Sequence, residues 1–250
     1  MKVLNLGWGI QSFTLAAMVA LGELESIDAA IHADTTHERE STYRFAEKYT
    51  PWLEARGVHM VTVRDAPTGP IDTWGGVFIP VFTDTPGKSG GMLNRQCTGR
   101  WKIQPIRRWL QSNRNGEPVE QWLGITTDEA ERMKPSDVKY ITHRWPLIEK
   151  RMSRNSCIAW LARNDLDIPD KSACTFCPFH NRSAWWAMKA ENGADWREAV
   201  AVDEAIRKAR PPFDLFVHSD RIPLAEIHSP QDDGQLEMWD QEECSGTCFV

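Results

Sequence analysis

The sequence predicts an α/β protein: a parallel twisted sheet flanked by helices, with a cysteine-bearing helical lobe toward the C-terminus. Three observations predict it. Short apolar runs alternate with amphipathic helical stretches as far as Val63, a glycine-bearing turn joins the first run to the first helical stretch, and the residues with chemical character fall just after the ends of the apolar runs.

The elements follow in order. Residues 3–6 read as a short buried strand, and Gly7-Trp8-Gly9 as the turn after it. Residues 12–24 have helical periodicity, with Leu15, Met18 and Val19 on one face. A second buried strand spans 27–33 and ends in Asp34-Thr35. Residues 38–49 form an amphipathic helix with Thr42, Phe45, Ala46 and Tyr49 on one side, and Pro51 is expected to kink it or to start a further turn. Residues 58–63 alternate as a third strand. Strand, helix, strand, helix, strand is the pattern of right-handed parallel crossovers, whose ligands sit beyond the carboxyl ends of the strands. Residues 7–12 and 34–37 both lie there and are expected to face one site.

Residues 64–96 are rich in Gly, Pro, Thr and Asp without a sustained period, which reads as a functional lid or a flexible insert. Helix is expected in the later part of 99–111, a strand over 119–125, a short helix over 127–133 and a short strand over 138–141. Further helices are expected over 153–164, with Ser153 as its cap, over 183–189 and over 196–210. The tail from Pro211 reads as irregular. The expected organisation is a nucleotide-binding α/β domain over 1–145 and a cysteine-containing helical region over 146–250 packed on the same site.

With 250 residues the chain can bury a core of its own, and 26% charged with 41% hydrophobic residues is the balance of a globular protein. A formal charge of −6 argues against a broad nucleic-acid surface. The N-terminus lacks the apolar core of a signal peptide, and the longest apolar run, 15–21, is too short to span a bilayer, so a cytoplasmic protein without membrane association is expected. Six cysteines in that setting read as thiols rather than as a disulfide framework. The twelve tryptophans read as packing.

Gly7-Trp8-Gly9-Ile10-Gln11-Ser12 lets a backbone approach an anion at a helix start, with Ser12 able to cap the helix and to donate to a phosphate. A tight turn with no ligand would look the same. It lacks the third glycine of a dinucleotide fingerprint and the Gly-Lys-Ser/Thr of a Walker loop. Asp34-Thr35, at a strand end, can accept hydrogen bonds from ribose or adenine, or simply cap the next helix. Arg100 and Lys102 set cations beside Cys97, which suits a sulfate or phosphate and equally a solvated helix start. Cys174-Thr175-Phe176-Cys177 places two thiolates within reach of one metal, with His180 close by. Gly124 and then Arg132 suit a second loop at a strand end, while Glu129 and Glu131 read as solvated acids.

These motifs together resemble the PP-loop superfamily and, within it, the sulfonucleotide (PAPS/APS) reductases. The Gly7 turn resembles Ser-Gly-Gly-x-Asp-Ser, with Trp8 in place of a glycine and Gln11 in place of the aspartate. Asp34-Thr35-Thr36 through Ser41-Thr42-Tyr43 resembles Asp-Thr-Gly … Glu-Thr-Tyr, and Cys97 through Pro105 resembles Cys-Cys-x-x-Arg-Lys-Val-x-Pro. The resemblance implies an adenine (sulfo)nucleotide bound by Gly7, Gly9, Gln11, Ser12, Asp34, Thr35, Gly124 and Arg132. It implies a sulfate held by Arg100 and Lys102, and Cys244 as the thiolate that attacks sulfur. It implies a 4Fe-4S iron–sulfur cluster on Cys97, Cys174 and Cys177, with Cys157 as the best replacement for the fourth ligand; zinc is the runner-up. A thioredoxin-like thiol donor would be the partner. Two alternatives stay open. One is a PP-loop ATP pyrophosphatase and sulfurtransferase that adenylates and thiolates a nucleic acid or other acceptor; apart from it, Cys244 and Cys248 could instead serve as cluster ligands or an exposed redox pair. The other is a nucleotide-binding regulatory protein without catalysis.

Overall fold

The computed structural model describes residues 1–84 and 90–229. Along the chain run β1 (Lys2–Asn5), α1 (Ile10–Ala20), β2 (Ala29–Asp34), α2 (Glu40–Glu54), β3 (Met60–Arg64), β4 (Phe82–Asp84), β5 (Gly91–Met92) and α3 (Gln104–Asn113). They are followed by β6 (Val119–Trp122), β7 (Ile141–Arg144), α4 (Pro146–Glu149), α5 (Arg154–Arg163), α6 (Arg182–Glu191), α7 (Ala194–Ile206) and β8 (Asp214–Phe216). No described helix is long and apolar enough to cross a membrane.

The chain divides into two compact units. The first contains Met1–Asp65 and Arg100–Ser172, and the second Ala66–Gly99 together with 173–229.

The first unit is the expected α/β fold. Its sheet has the order β3-β2-β1-β6-β7, and every pair is parallel. The inner strands β1 and β2 are buried almost throughout and mostly apolar, as parallel strands between helices are, while the edge strands β3 and β7 are partly exposed. Alternate residues feed two cores. Leu4, Ala30 and Trp122 join Phe13, Leu15, Met18, Leu53 and Leu161, from the α1, α2 and α5 side. Val3, Ala29, Ile31, Ala33 and Val119 join Ile106 and Leu110 of α3. The chain runs from β1 outward to β2 and β3, then returns past α3 to β6 on the other side of β1. That reversal opens a crevice at the carboxyl ends of β1 and β6, where open α/β sheets bind their ligands.

The helix α2 runs through Pro51 to Glu54, and the Pro51 carbonyl accepts from the Ala55 amide at 3.0 Å. Two local expectations are corrected. The strand expected at 138–141 begins where it was expected to end, because Ile141–Arg144 is the stretch in register with Val119–Trp122. Residues 127–132 form a 3-10 segment that leaves helical geometry at Glu129. The Ser153 cap stands, its hydroxyl accepting from Ser156 N at 3.1 Å.

The second unit carries a small antiparallel sheet of order β5-β4-β8, with Phe82 opposite both Met92 and Phe216. Two of these strands lie within residues 64–96, and β8 shows that the stretch after Pro211 is not irregular throughout. These strands are two or three residues long and pair across a large sequence separation, so no local period announces them. Asp203 of α7 ties the unit together. Fully buried, its carboxylate accepts from Val217 N at 2.8 Å and Leu224 N at 3.0 Å and pairs with Arg207.

Candidate nucleotide site

In the first unit the turn after β1 is shaped by Trp8, the residue that stands where a glycine would be easiest. Its φ is 58°, a left-handed conformation costly for a bulky side chain. Aromatic packing holds it there: the ring is 2% exposed and lies 6.3–6.4 Å from Phe13, His32 and Phe45. Gly9 is the N-cap of α1, with no side-chain cap and no acid in the first turn. Ser12 is not the cap. Its hydroxyl folds back to accept from Gly7 N and to donate to Gly9 O, both at 3.2 Å. The half-buried Gln11 and Ser12 stand at the start of a helix whose dipole and amides favour an anion.

Gly124, just beyond β6, comes against this same helix start. A Cβ there would lie 2.8 Å from Ser12 N and 3.1 Å from both Gln11 C and Ser12 Cα. Only glycine lets the two strand-end loops approach so closely. Beneath them, the buried Gln121 amide donates to Asn5 Oδ1 at 2.8 Å and joins β6 to β1.

At the end of β2, Asp34 is buried and already has three donors. Oδ1 accepts from Thr36 N at 2.7 Å and the Tyr43 hydroxyl at 2.9 Å, and Oδ2 from Arg64 Nε at 2.7 Å. Burial pushes its carboxyl up, and the bonds from Arg64, Thr36 and Tyr43 outweigh that and hold it below the usual range. Register explains the pairing, since Arg64 is the β3 residue directly opposite Asp34. Thr35 is fully buried and donates to Glu38 Oε1 at 3.2 Å.

Lys102, read as an anion holder, pairs with Glu38: Nζ lies 3.3 Å from Oε1, and the carboxylate side chain is 2% exposed. Arg100 is exposed. Trp101 between them is buried, 6.5 Å from the His37 ring. On the β6 side, Arg132 and Glu129 form a half-buried pair at 2.6 Å, so Glu129 is not the solvated acid its spacing indicated.

Two residues were missed by sequence reasoning. Glu38 was read only as the start of a helix, although a charge four residues past a strand-end aspartate was the available signal. His32 was hidden in an apolar strand. Its Nδ1 is 3.1 Å from the Leu6 carbonyl, which can only accept, so Nδ1 carries the proton. Burial lowers its pKa, against the pull of Glu38 and Asp34, and the ring is neutral at pH 7.

The cysteines divide between the units. Cys157 is fully buried in the core of the first, against α1, where burial pushes its thiol up to about 11 despite a hydrogen bond with Thr14. It is therefore a neutral thiol packed as a small apolar side chain. In the second unit Cys97 N donates to Phe78 O at 3.0 Å. Cys174 and Cys177 share a turn closed by Cys177 N to Cys174 O at 3.0 Å, and His180 Nε2 lies 2.9 Å from that same Cys174 carbonyl. Among the described residues no group of three His, Cys, Asp or Glu side chains is placed to hold a metal ion. Cys244 and Cys248 lie outside the described residues.

No protein-family model matches the chain, and no curated protein does. Among solved structures it is similar to a phosphoadenylyl-sulfate (PAPS) reductase from Candida auris in its phosphate complex. The TM-score is 0.47 at 12% identity, over 67% of this chain and 74% of that one. It is also similar to the U34-tRNA thiolase NcsA from Methanococcus maripaludis with its 4Fe-4S cluster, at a TM-score of 0.39 and 12% identity, over 84% of this chain and 72% of that one. At these scores neither likeness bears on the chemistry; the fold rests on the strand order observed directly.

Proposed function

We propose that the chain is an adenine-nucleotide enzyme of the PP-loop type, working in the cytosol in the manner of the sulfonucleotide reductases it resembles. One observation carries the nucleotide site: the backbone of Gly124 closes on the first turn of α1 at the strand-order reversal, next to a turn whose helix start has no cap of its own. In this reading the amides of Gly9, Gln11 and Ser12 take the phosphates, Gly7 keeps the approach open, and Asp34 and Thr35 hold the β2 end in shape. Arg100 supplies positive charge, and Arg132, paired with Glu129, flanks the site from the β6 side.

In the reductase reading Cys244 is the nucleophile. Its thiolate forms an S–S bond to the sulfur of the sulfonucleotide as the S–O bond breaks, and the nucleotide leaves with the electron pair. A thiol of a thioredoxin-like partner then attacks the Cys244 sulfur and releases sulfite, leaving a mixed disulfide. No step is routed through a cluster. The Lys102–Glu38 pair favours a second reading, a PP-loop ATP pyrophosphatase that passes sulfur to an acceptor, because that lysine is committed to a carboxylate rather than presented to a sulfate.

The purified full chain should bind ATP or a sulfonucleotide at micromolar concentration by calorimetry. Sulfite release from PAPS or APS with a thiol donor supports reduction, and pyrophosphate release from ATP supports the second reading. Binding of no adenine nucleotide would overturn both.

A further inference from the structure

The connection from β2 to α2 leaves several buried oxygens without a hydrogen-bond partner: Oε2 of Glu38 and the hydroxyls of Thr36, Ser41 and Thr42. The hydroxyls can either donate or accept. A carboxylate oxygen can only accept. Both donors that reach Glu38, the Thr35 hydroxyl and Lys102 Nζ, end on Oε1. Asp34, in the same connection, has both of its oxygens bonded, by three donors. A buried carboxylate oxygen left unbonded is costly, so the group missing at Oε2 is a donor. An anionic oxygen would meet like charge in a region of low dielectric and is excluded.

We infer that Glu38 sets the ligand specificity at the β2 side of the site: its Oε2 receives an O–H or N–H from a neutral part of the nucleotide, a ribose hydroxyl or the base amine. Lys102 is then the counter-charge of Glu38 and a positioning residue, not the clamp for a sulfate. Anionic groups of the ligand are directed to the Gly7 turn instead. This inference rests on the nucleotide reading above and adds to it which part of the ligand lies against β2.

The test titrates the full-length protein by calorimetry with ATP, 2′-deoxy-ATP, 3′-deoxy-ATP and inosine triphosphate. A buried acceptor that loses its donor should cost roughly tenfold or more in affinity. For the wild type, at least one analogue should therefore bind tenfold more weakly than ATP. A deoxy analogue would assign the donor to the ribose, and the inosine nucleotide would assign it to the base amine. Glu38→Gln should weaken ATP binding by a similar factor and abolish the discrimination against that analogue. Equal binding of all four ligands by the wild type would overturn the inference without any variant. So would a Glu38→Gln loss that is the same for every ligand, which marks a structural role only. In both cases ATP still binds, so the nucleotide site itself stands. No binding of ATP by the wild type would remove that site and this inference with it.

Discussion

Replacing Gly124 by alanine tests the close approach on which the site depends. The added Cβ would sit 2.8 Å from Ser12 N and 3.1 Å from Gln11 C and Ser12 Cα. All three are backbone atoms in the first turn of a helix, so no flexible side chain can move aside. Restoring ordinary contact, about 3.4 Å, requires the two loops to part by about 0.6 Å (3.4 − 2.8). Overpacking of this kind costs about 1–3 kcal/mol. At about 2–4 °C per kcal/mol for a unit of this size, melting of the first unit should fall by roughly 2–12 °C. A binding site must keep its geometry within about 0.5 Å, so nucleotide affinity should fall tenfold or more. Gly99→Ala is the control. A Cβ there meets nothing within 4 Å, and the change should be neutral or slightly stabilising. Differential scanning fluorimetry and calorimetric titration read both quantities. A Gly124→Ala protein with unchanged melting would show that the loops do not meet as described. One that melts lower but binds nucleotide as before would place the phosphates elsewhere.

Asp34→Asn should destabilise by about 1–3 kcal/mol, since three donors lose a charged acceptor. The Asp34 carboxyl is held below its ordinary 3.8, so its contribution is full above that value and is lost as the pH falls through the folded pKa. The melting gap between wild type and variant should therefore be constant above about pH 5 and close on further acidification; a gap that widens in acid contradicts the account. Cys157 should resist a thiol reagent at pH 8 until the protein unfolds, because it is buried and only about one thiol in a thousand is ionised there. Cys157→Ala should leave the fast-reacting thiols and any bound iron or zinc unchanged; loss of metal in that variant would restore Cys157 as a ligand. Asp203→Ala strands two buried amides and Arg207, at about 3–5 kcal/mol, and should lower the melting of the second unit well beyond Asp203→Asn. Equal melting of the two variants would show that the carboxylate geometry is not what holds that unit.

Much of the first unit could be read from the chain alone. Its strands, helices and strand-end loops are local features, and the period of an apolar face repeats within a few residues, so a short window is enough to see it. The place of the Gly7 turn and of Asp34 at adjacent carboxyl ends follows from that order through the handedness of parallel crossovers. The state of the side chains there did not follow. Lys102 reads as a free cation beside a cysteine, yet it is held by Glu38 across a separation of 64 residues. Asp34 reads as a ligand to ribose, yet Arg64 and Tyr43 occupy its oxygens because β3 pairs in one particular register. Cys157 reads as a spare thiolate, and its burial beneath α1 makes it part of the core. The strands β4, β5 and β8 are too short to carry a period, and their pairing exists only once distant segments meet. Sequence by itself therefore determined the sheet, the crossovers and which loops gather at the crevice, since these depend on neighbours along the chain. Which charges are free, which thiols are ionisable and which carboxylate oxygen still lacks a donor depend on neighbours in space, and only the tertiary structure decided them.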